Sequence, residues 1–181
     1  MKAISLSISG IILLIPKIFH DNRGSFYESF NQKNFENTVG LSPKFVQDNH
    51  SKSNKNVLRG LHYQLPPKAQ GKLVRAIRGE IFDVVVDIRE ESPTFGQWHG
   101  EILSAVNKKQ LWIPPGFAHG FLTLSETAEV HYKATEFYDP DCEKCIVWND
   151  PTINIDWPLI NPPILSKKDL KGLALNHADF K

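Results

Sequence analysis

Apolar and polar residues alternate along most of this chain with the two-residue period of a strand that is buried on one face. Ile4, Leu6 and Ile8 alternate with serines, and an apolar run follows from Ile11 to Ile15. After a turn at Asp21-Asn22-Arg23-Gly24, Phe26, Glu28 and Phe30 alternate against Ser25, Tyr27 and Ser29. The segment FVQDNHSKS places Gln47, Asp48 and Asn49 at the end of a short strand. Short β-branched and aromatic segments then succeed one another at 57–64, 72–77, 81–88, 98–103, 110–113, 120–124, 130–137 and 146–148. Turn residues separate them, among them Arg78-Gly79, Ser92-Pro93 and Pro114-Pro115-Gly116. Strands of this length and spacing predict an all-β fold, an antiparallel double-sheet barrel of the jelly-roll kind. Helical patterning is confined to two places. Residues 31–39 read as a short helix capped by Asn31, and Ser166-Lys167-Lys168-Asp169 as a capping box that opens a second over 167–172.

Composition adds bounds to this picture. No repeat, low-complexity stretch or linker divides the 181 residues, which are read as a single domain over 1–181. With a net charge of +1 there is no basic excess to suggest nucleic acid, so a bound anion must be met by a local cluster. Lys2 followed by apolar residues has the outline of a signal peptide, yet Gly10 interrupts it and no small-residue cleavage site follows. The run from Ile11 to Ile15 is too short to cross a bilayer, and the chain is read as a cytoplasmic protein with no membrane contact. Cys142 and Cys145 form a lone CxxC in the polar turn DPDCEKC. Two thiolates fall short of a structural zinc site, so both are read as reduced loop cysteines.

The stretch NVLRGLHYQLPPKAQGKLVR, residues 56–75, gathers Arg59, His62 and Lys72 among strand-forming residues. A histidine within reach of two fixed cations suits chemistry that makes an anion and then holds it. Pro114, Gly116 and His119 in IPPGFAHGF fit the second motif of the cupin superfamily. The first cupin motif wants two histidines and a carboxylate around a metal, whereas here His62-Tyr63-Gln64 puts glutamine at the second position. Two histidines make a poor cage, which favours metal-free proton abstraction next to a carbonyl. His62 is then the base, Lys72 the cation facing the developing enolate oxygen, and Tyr132 a neutral acid for the opposite face. Tyr27, Tyr63 and Tyr138 are the competing tyrosines, and Asp83 in its apolar strand competes to orient His62 or His119. Strict alternation puts Arg59 and His62 on opposite faces, so a shared site requires a bulge at Gly60.

Taken together, RGLHYQ, GKLVRAIRG, VVVDIREESPTFG, IPPGFAHGF, VHYKATEFYDP, WNDPTINIDWP and LSKKD cover nearly the whole chain. In order and spacing they resemble the dTDP-4-dehydrorhamnose 3,5-epimerase family. The resemblance implies a cupin-type enzyme, with no metal and no cofactor, that converts dTDP-4-dehydro-6-deoxy-D-glucose to dTDP-4-dehydro-L-rhamnose. That product is a precursor of surface polysaccharide such as the O-antigen of lipopolysaccharide. By the same resemblance His62 is the base at C3 and C5, Tyr132 the acid, Asp169 the carboxylate paired with His62, and Lys72 the cation at the C4 oxygen. Arg23, Glu28, Gln47, Asp48, Asn49, Arg59, His119, Glu143 and Lys168 match nucleotide-sugar contacts, and Tyr138 the aromatic that stacks on thymine. A homodimer is implied as well, with exchanged N-terminal strands and the segment from Arg23 to Glu28 entering the neighbour's site.

Each assignment has an alternative. Asp169 also suits a capping box with Ser166, His119 a barrel core, and Arg23 and Glu28 the solvated charges of a hairpin. Competing functions are a mono-epimerase of a related nucleotide sugar, a metal-dependent cupin oxygenase or isomerase, and a sugar-nucleotide-binding barrel without catalysis.

Overall fold

The computed structural model describes residues 1–180. Among these the strands are, in chain order, β1 (Lys2–Ser5), β2 (Ile12–Ile15), β3 (Ile18–Asp21), β4 (Gly24–Tyr27), β5 (Gln47–Asn54), β6 (Leu58–Gln64), β7 (Lys72–Arg78), β8 (Glu80–Asp87), β9 (Trp98–Ser104), β10 (Gln110–Ile113), β11 (Phe117–Thr123), β12 (Thr127–Ala134) and β13 (Glu143–Cys145). They form a six-stranded sheet in the order β1-β2-β10-β7-β12-β5 and a five-stranded sheet in the order β13-β6-β11-β8-β9. All pairings between named strands are antiparallel, and β3 with β4 makes a separate hairpin. This is the jelly roll expected from the alternation.

Alternation also sorts the side chains into layers. Val74, Ala76, Val85, Leu111, Phe117, Phe121 and Val130 point between the sheets and form the central core. The opposite face of the five-stranded sheet, with Leu58, Leu61, Tyr63, Val84 and Val86, is covered by Ile153, Trp157 and Leu175 of the C-terminal segment. The helix α1 (Gln32–Val39) brings Phe35 onto Leu14, Leu73 and Trp112 on the outer face of the six-stranded sheet. Asn31 caps it by accepting from the Asn34 N–H, and Gly40 ends it at φ +74°. The expected C-terminal helix is a single 3₁₀ turn, Asp169–Lys171.

Several strand boundaries differ from the sequence reading, most of them by a single residue. β11 begins at Phe117 and β12 at Thr127, each three residues early, and the last strand is Glu143–Cys145 rather than 146–148. Backbone pairing decides in each case: Thr127 and Glu129 extend the ladder with β5 although neither is apolar. The residues Gln47 to Asn49 open, rather than end, an eight-residue strand. That strand, QDNHSKSN, carries no apolar residue to announce itself, and its pairing with β12 holds it in the sheet edge.

The β8–β9 connection is tied by Asp87, which is fully buried. Its carboxylate accepts from Arg89, Ser92 and Thr94. Burial alone would raise its pKa, but these bonds outweigh it and hold the group down at about 2. A depressed carboxylate stabilises the fold fully above its unfolded value of about 3.9, and that stability is lost as pH falls towards 2. We expect Asp87→Asn to cost roughly 1–3 kcal/mol, the scale for losing charge-assisted hydrogen bonds to a partner that can still reach solvent. Urea unfolding at several pH values would show it, together with a flatter dependence between pH 4 and 2; an unchanged midpoint contradicts this account.

Candidate active site

β6 carries His62, the base of the sequence reading, to the inner face of the five-stranded sheet. His119 and Phe121 of β11 stand opposite His62 and Arg59, so β6 spends three steps where β11 spends two. This is the expected bulge, and it lets Leu58 and Leu61 pack on the same outer face although they lie three residues apart. Gly60 makes it possible. Its φ is +121°, and a Cβ there would lie 2.5 Å from Gly120 Cα. Arg59 is thereby turned to the His62 side, where its guanidinium donates to Ser53 Oγ and its charge bears on Tyr132.

The 3₁₀ turn delivers Asp169 behind His62. Asp169 Oδ1 lies 2.6 Å from His62 Nε2, while Oδ2 accepts from Ser166 Oγ at 2.6 Å. The Asp169 N–H returns a bond to Ser166 Oγ at 3.1 Å. The cap and the histidine pairing therefore coexist because each takes its own carboxylate oxygen. Burial works against the charge of Asp169, but the bonds from His62 and Ser166 prevail and hold its pKa at about 2. A carboxylate so placed fixes the ring and stabilises the imidazolium that forms when the other nitrogen takes a proton. We expect Asp169→Asn to lower kcat by about 10²–10⁴-fold with a much smaller change in KM. Steady-state kinetics decide it, and a loss confined to KM contradicts the pairing.

The opposite wall comes from the six-stranded sheet. Tyr132 of β12 and Lys72 of β7 point inward, with Val74 opposite Tyr132 and Lys72 opposite Ala134. His62, Lys72 and Tyr132 line one cleft of about 220 Å³. Pockets that engulf a drug-sized ligand run to about 300–1,000 Å³, so this one suits a single sugar ring with the rest of a nucleotide sugar outside. Because His62 and Tyr132 stand on facing sheets, a ring between them meets one on each face. Burial pushes the Tyr132 phenol up, with Glu143 adding to the shift and Arg59 opposing it, so it is a neutral acid at neutral pH. The hydroxyls of the other tyrosines have their own partners. Tyr63 donates to Asp179 O, Tyr138 donates to Glu143 at the rim, and Tyr27 lies beside Arg75 on the outer face.

Lys72 reaches across the barrel to within 3.5 Å of the His62 carbonyl. Burial lowers its pKa to about 8, against the opposing pull of Glu143 and Asp83. The oxyanion role expected of Lys72 from the sequence needs the ammonium form, and under that role kcat/KM is expected to fall as pH rises through about 8. A pH–rate profile tests this. Lys72→Arg, whose guanidinium stays charged, should remove that alkaline limb whatever it does to the rate, and an unmoved limb excludes Lys72.

Residues 5–177 match the dTDP-4-dehydrorhamnose 3,5-epimerase family. The chain is 60% identical over 179 residues to a dTDP-4-dehydrorhamnose 3,5-epimerase of Pseudomonas aeruginosa, covering 99% of this chain and 98% of that one. It is 59% identical to the enzyme of that name from Salmonella typhimurium, over 98% and 97% of the two chains. A dTDP-6-deoxy-D-glucose-3,5-epimerase of Legionella pneumophila, solved with dTDP-4-keto-L-rhamnose, superposes with a TM-score of 0.95 at 52% identity, covering 98% and 94%. The chain belongs to the dTDP-4-dehydrorhamnose 3,5-epimerase family.

Within this family frame the remaining residues divide by position. Gln47 and Asn49 line the cleft, and the Gln47 amide oxygen accepts from the Tyr138 N–H. Glu143 sits at the rim, bonded to Tyr138 and paired with Lys168. Asp48, one residue out of phase, points to the other face of the sheet and pairs with Lys133. Arg23 is paired with Asp21 at the hairpin tip, and Glu28 accepts from Asn31 and Asn34, both away from the cleft of their own chain. His119 is buried against Asp83, with 2.9 Å between Nε2 and Oδ2. Asp83 is therefore the partner of His119, and its charge also bears on Lys72.

The donor set does not fit a cupin metal centre. Gln64 donates to Lys68 O and Phe137 O and accepts from the Asp139 N–H, while His62 and His119 face different carboxylates. One residue of the cleft and one from the neighbouring cavity escaped the sequence reading. Gln70 lies beyond the Pro66-Pro67 turn with no pattern to mark it. Cys145 was read as a loop thiol, yet it is the strand partner of His62.

Proposed function

We propose that this chain is a dTDP-4-dehydrorhamnose 3,5-epimerase, an isomerase of a dTDP-4-keto-6-deoxyhexose. The placement of His62 and Tyr132 on facing sheets, around a cleft the size of one sugar ring, carries the reading. The C4 ketone acidifies the neighbouring C–H bonds. His62, backed by Asp169, removes the proton, and the electron pair moves onto the C4 oxygen beside the Lys72 ammonium. Tyr132 returns a proton from the other face as the C4 ketone re-forms; His62 then gives up its proton and Tyr132 regains one by exchange with solvent, and a turn of the ring brings the second centre to the same pair. Preorganised charge at the oxyanion supplies the largest part of such catalysis. Gln47, Asn49, Arg59, His119, Glu143, Lys168 and Tyr138 are assigned to substrate contacts, with Tyr138 stacking on the thymine from its exposed place at the rim.

The same reading includes a homodimer in the cytoplasm. The β3–β4 hairpin joins neither main sheet and leaves Phe19 and Phe26 52% and 72% exposed, as a segment reaching for a neighbour does. Arg23, Glu28 and Asp48 then serve the neighbouring cleft, which accounts for their distance from their own. Among the described residues no helix is long and apolar enough to cross a membrane. The product feeds surface polysaccharides such as O-antigen. Proton NMR of the product formed from dTDP-4-dehydro-6-deoxy-D-glucose tests the reading. Inversion at C3 and C5 supports it, inversion at one centre makes the chain a mono-epimerase, and no conversion removes the assignment.

A further inference from the structure

We propose that His62, Cys145 and Asp169 form a binding site for a thiophilic divalent cation such as Zn²⁺ or Cd²⁺, through which that cation inhibits the enzyme. The three side chains come from separate segments. Cys145 is the strand partner of His62 on β13, and Asp169 arrives on the 3₁₀ turn. One ligand atom from each lies within 4.8 Å of the other two. A tetrahedral ion with bonds of about 2.0–2.3 Å spaces its ligands about 3.3–3.7 Å apart. The thiol therefore needs to close by about an ångström, while the 2.6 Å contact of His62 and Asp169 opens by less than that.

The donor types select the ion. One sulfur, one imidazole nitrogen and one carboxylate oxygen suit Zn²⁺, Cd²⁺ or Co²⁺ far better than Mg²⁺ or Ca²⁺. Three protein ligands leave a fourth position for water. Burial, with the Asp169 charge beside it, pushes the Cys145 thiol up to about 12, and an arriving cation reverses that balance by displacing the thiol proton to solvent. Access is through a cleft of about 660 Å³ along Cys145, Glu143 and Lys168. Lysines on its rim disfavour a free cation, but thiolate and carboxylate together outweigh them at contact.

Inhibition follows from what the ion would occupy. It takes a nitrogen of His62 and the carboxylate that supports the imidazolium, so the inhibitory half of the proposal rests on His62 being the base. Cation binding does not, and the two halves are read separately. Chelator-treated protein would be titrated with Co²⁺ for absorption, and with Zn²⁺ and Cd²⁺ for turnover. The expected result is a thiolate-to-cobalt charge-transfer band in the unmodified chain that is absent from Cys145→Ala and retained in Cys142→Ala. Zn²⁺ and Cd²⁺ should inhibit Cys145→Ala at least tenfold more weakly, with its metal-free activity retained. No band in the unmodified chain, or a band that survives in Cys145→Ala, overturns the site without touching the epimerase assignment. A Cys145-dependent band with unchanged turnover leaves the site standing and overturns the role of His62.

Discussion

Replacing His62 with asparagine is expected to stop proton removal at both C3 and C5, lowering turnover by about 10⁴-fold, the upper range for one general base. Asparagine keeps a polar group near Asp169 but has no basicity to accept a carbon-bound proton. The other residues around the cleft do not offer a substitute. Lys72 is held as the cation, Glu143 is paired with Lys168, and His119 is buried against Asp83. Asp169 retains its bonds to Ser166, so the turn that carries it should stay in place. Exchange of substrate protons with deuterated solvent, followed by NMR at each carbon, reads the effect directly. Substantial exchange in a folded His62→Asn protein would assign the base elsewhere.

Replacing Tyr132 with phenylalanine should separate two events that the unmodified enzyme couples. Only a hydroxyl is lost, and the ring continues to pack against the central core. His62 can still remove a proton, exchange it with solvent and return it to the face it came from. The expected outcome is labelled substrate of unchanged configuration, with epimerised product reduced by about 10²–10⁴-fold. Near-normal epimerisation in Tyr132→Phe would require another acid on that face. Tyr138 is the candidate, and its exposed hydroxyl, bonded to Glu143, is poorly placed for the task.

Much of this arrangement was legible in the residues. Period-two alternation and the turn residues between strands specified the double-sheet barrel, whereas Lys72 and Tyr132 were singled out by the chemistry a base at His62 would need, and the structure places both in the same cleft as His62. The bulge at Gly60 could be anticipated because Arg59 and His62 otherwise point apart, and glycine is the residue that permits the turn. What alternation could not supply was anything decided by pairing across the sheet. β5 is stabilised by its ladder with β12 and carries no apolar side chain, so Gln47 and Asn49 looked like the start of a loop. Cys145 looked idle because its neighbour, His62, lies 83 positions earlier in the chain and meets it only through β13–β6 pairing. Asp169 was ambiguous for a different reason. A carboxylate has two oxygens, and the structure uses one for the cap and the other for the histidine.

The central claim is that one base and one acid on facing sheets act in turn at both carbons flanking a ketone. Incubating the unmodified chain with dTDP-4-dehydro-6-deoxy-D-glucose in deuterated water tests it most directly. The account predicts deuterium at both C3 and C5 of an inverted product. An inverted product without solvent deuterium, or a substrate that acquires label at neither carbon, would contradict it.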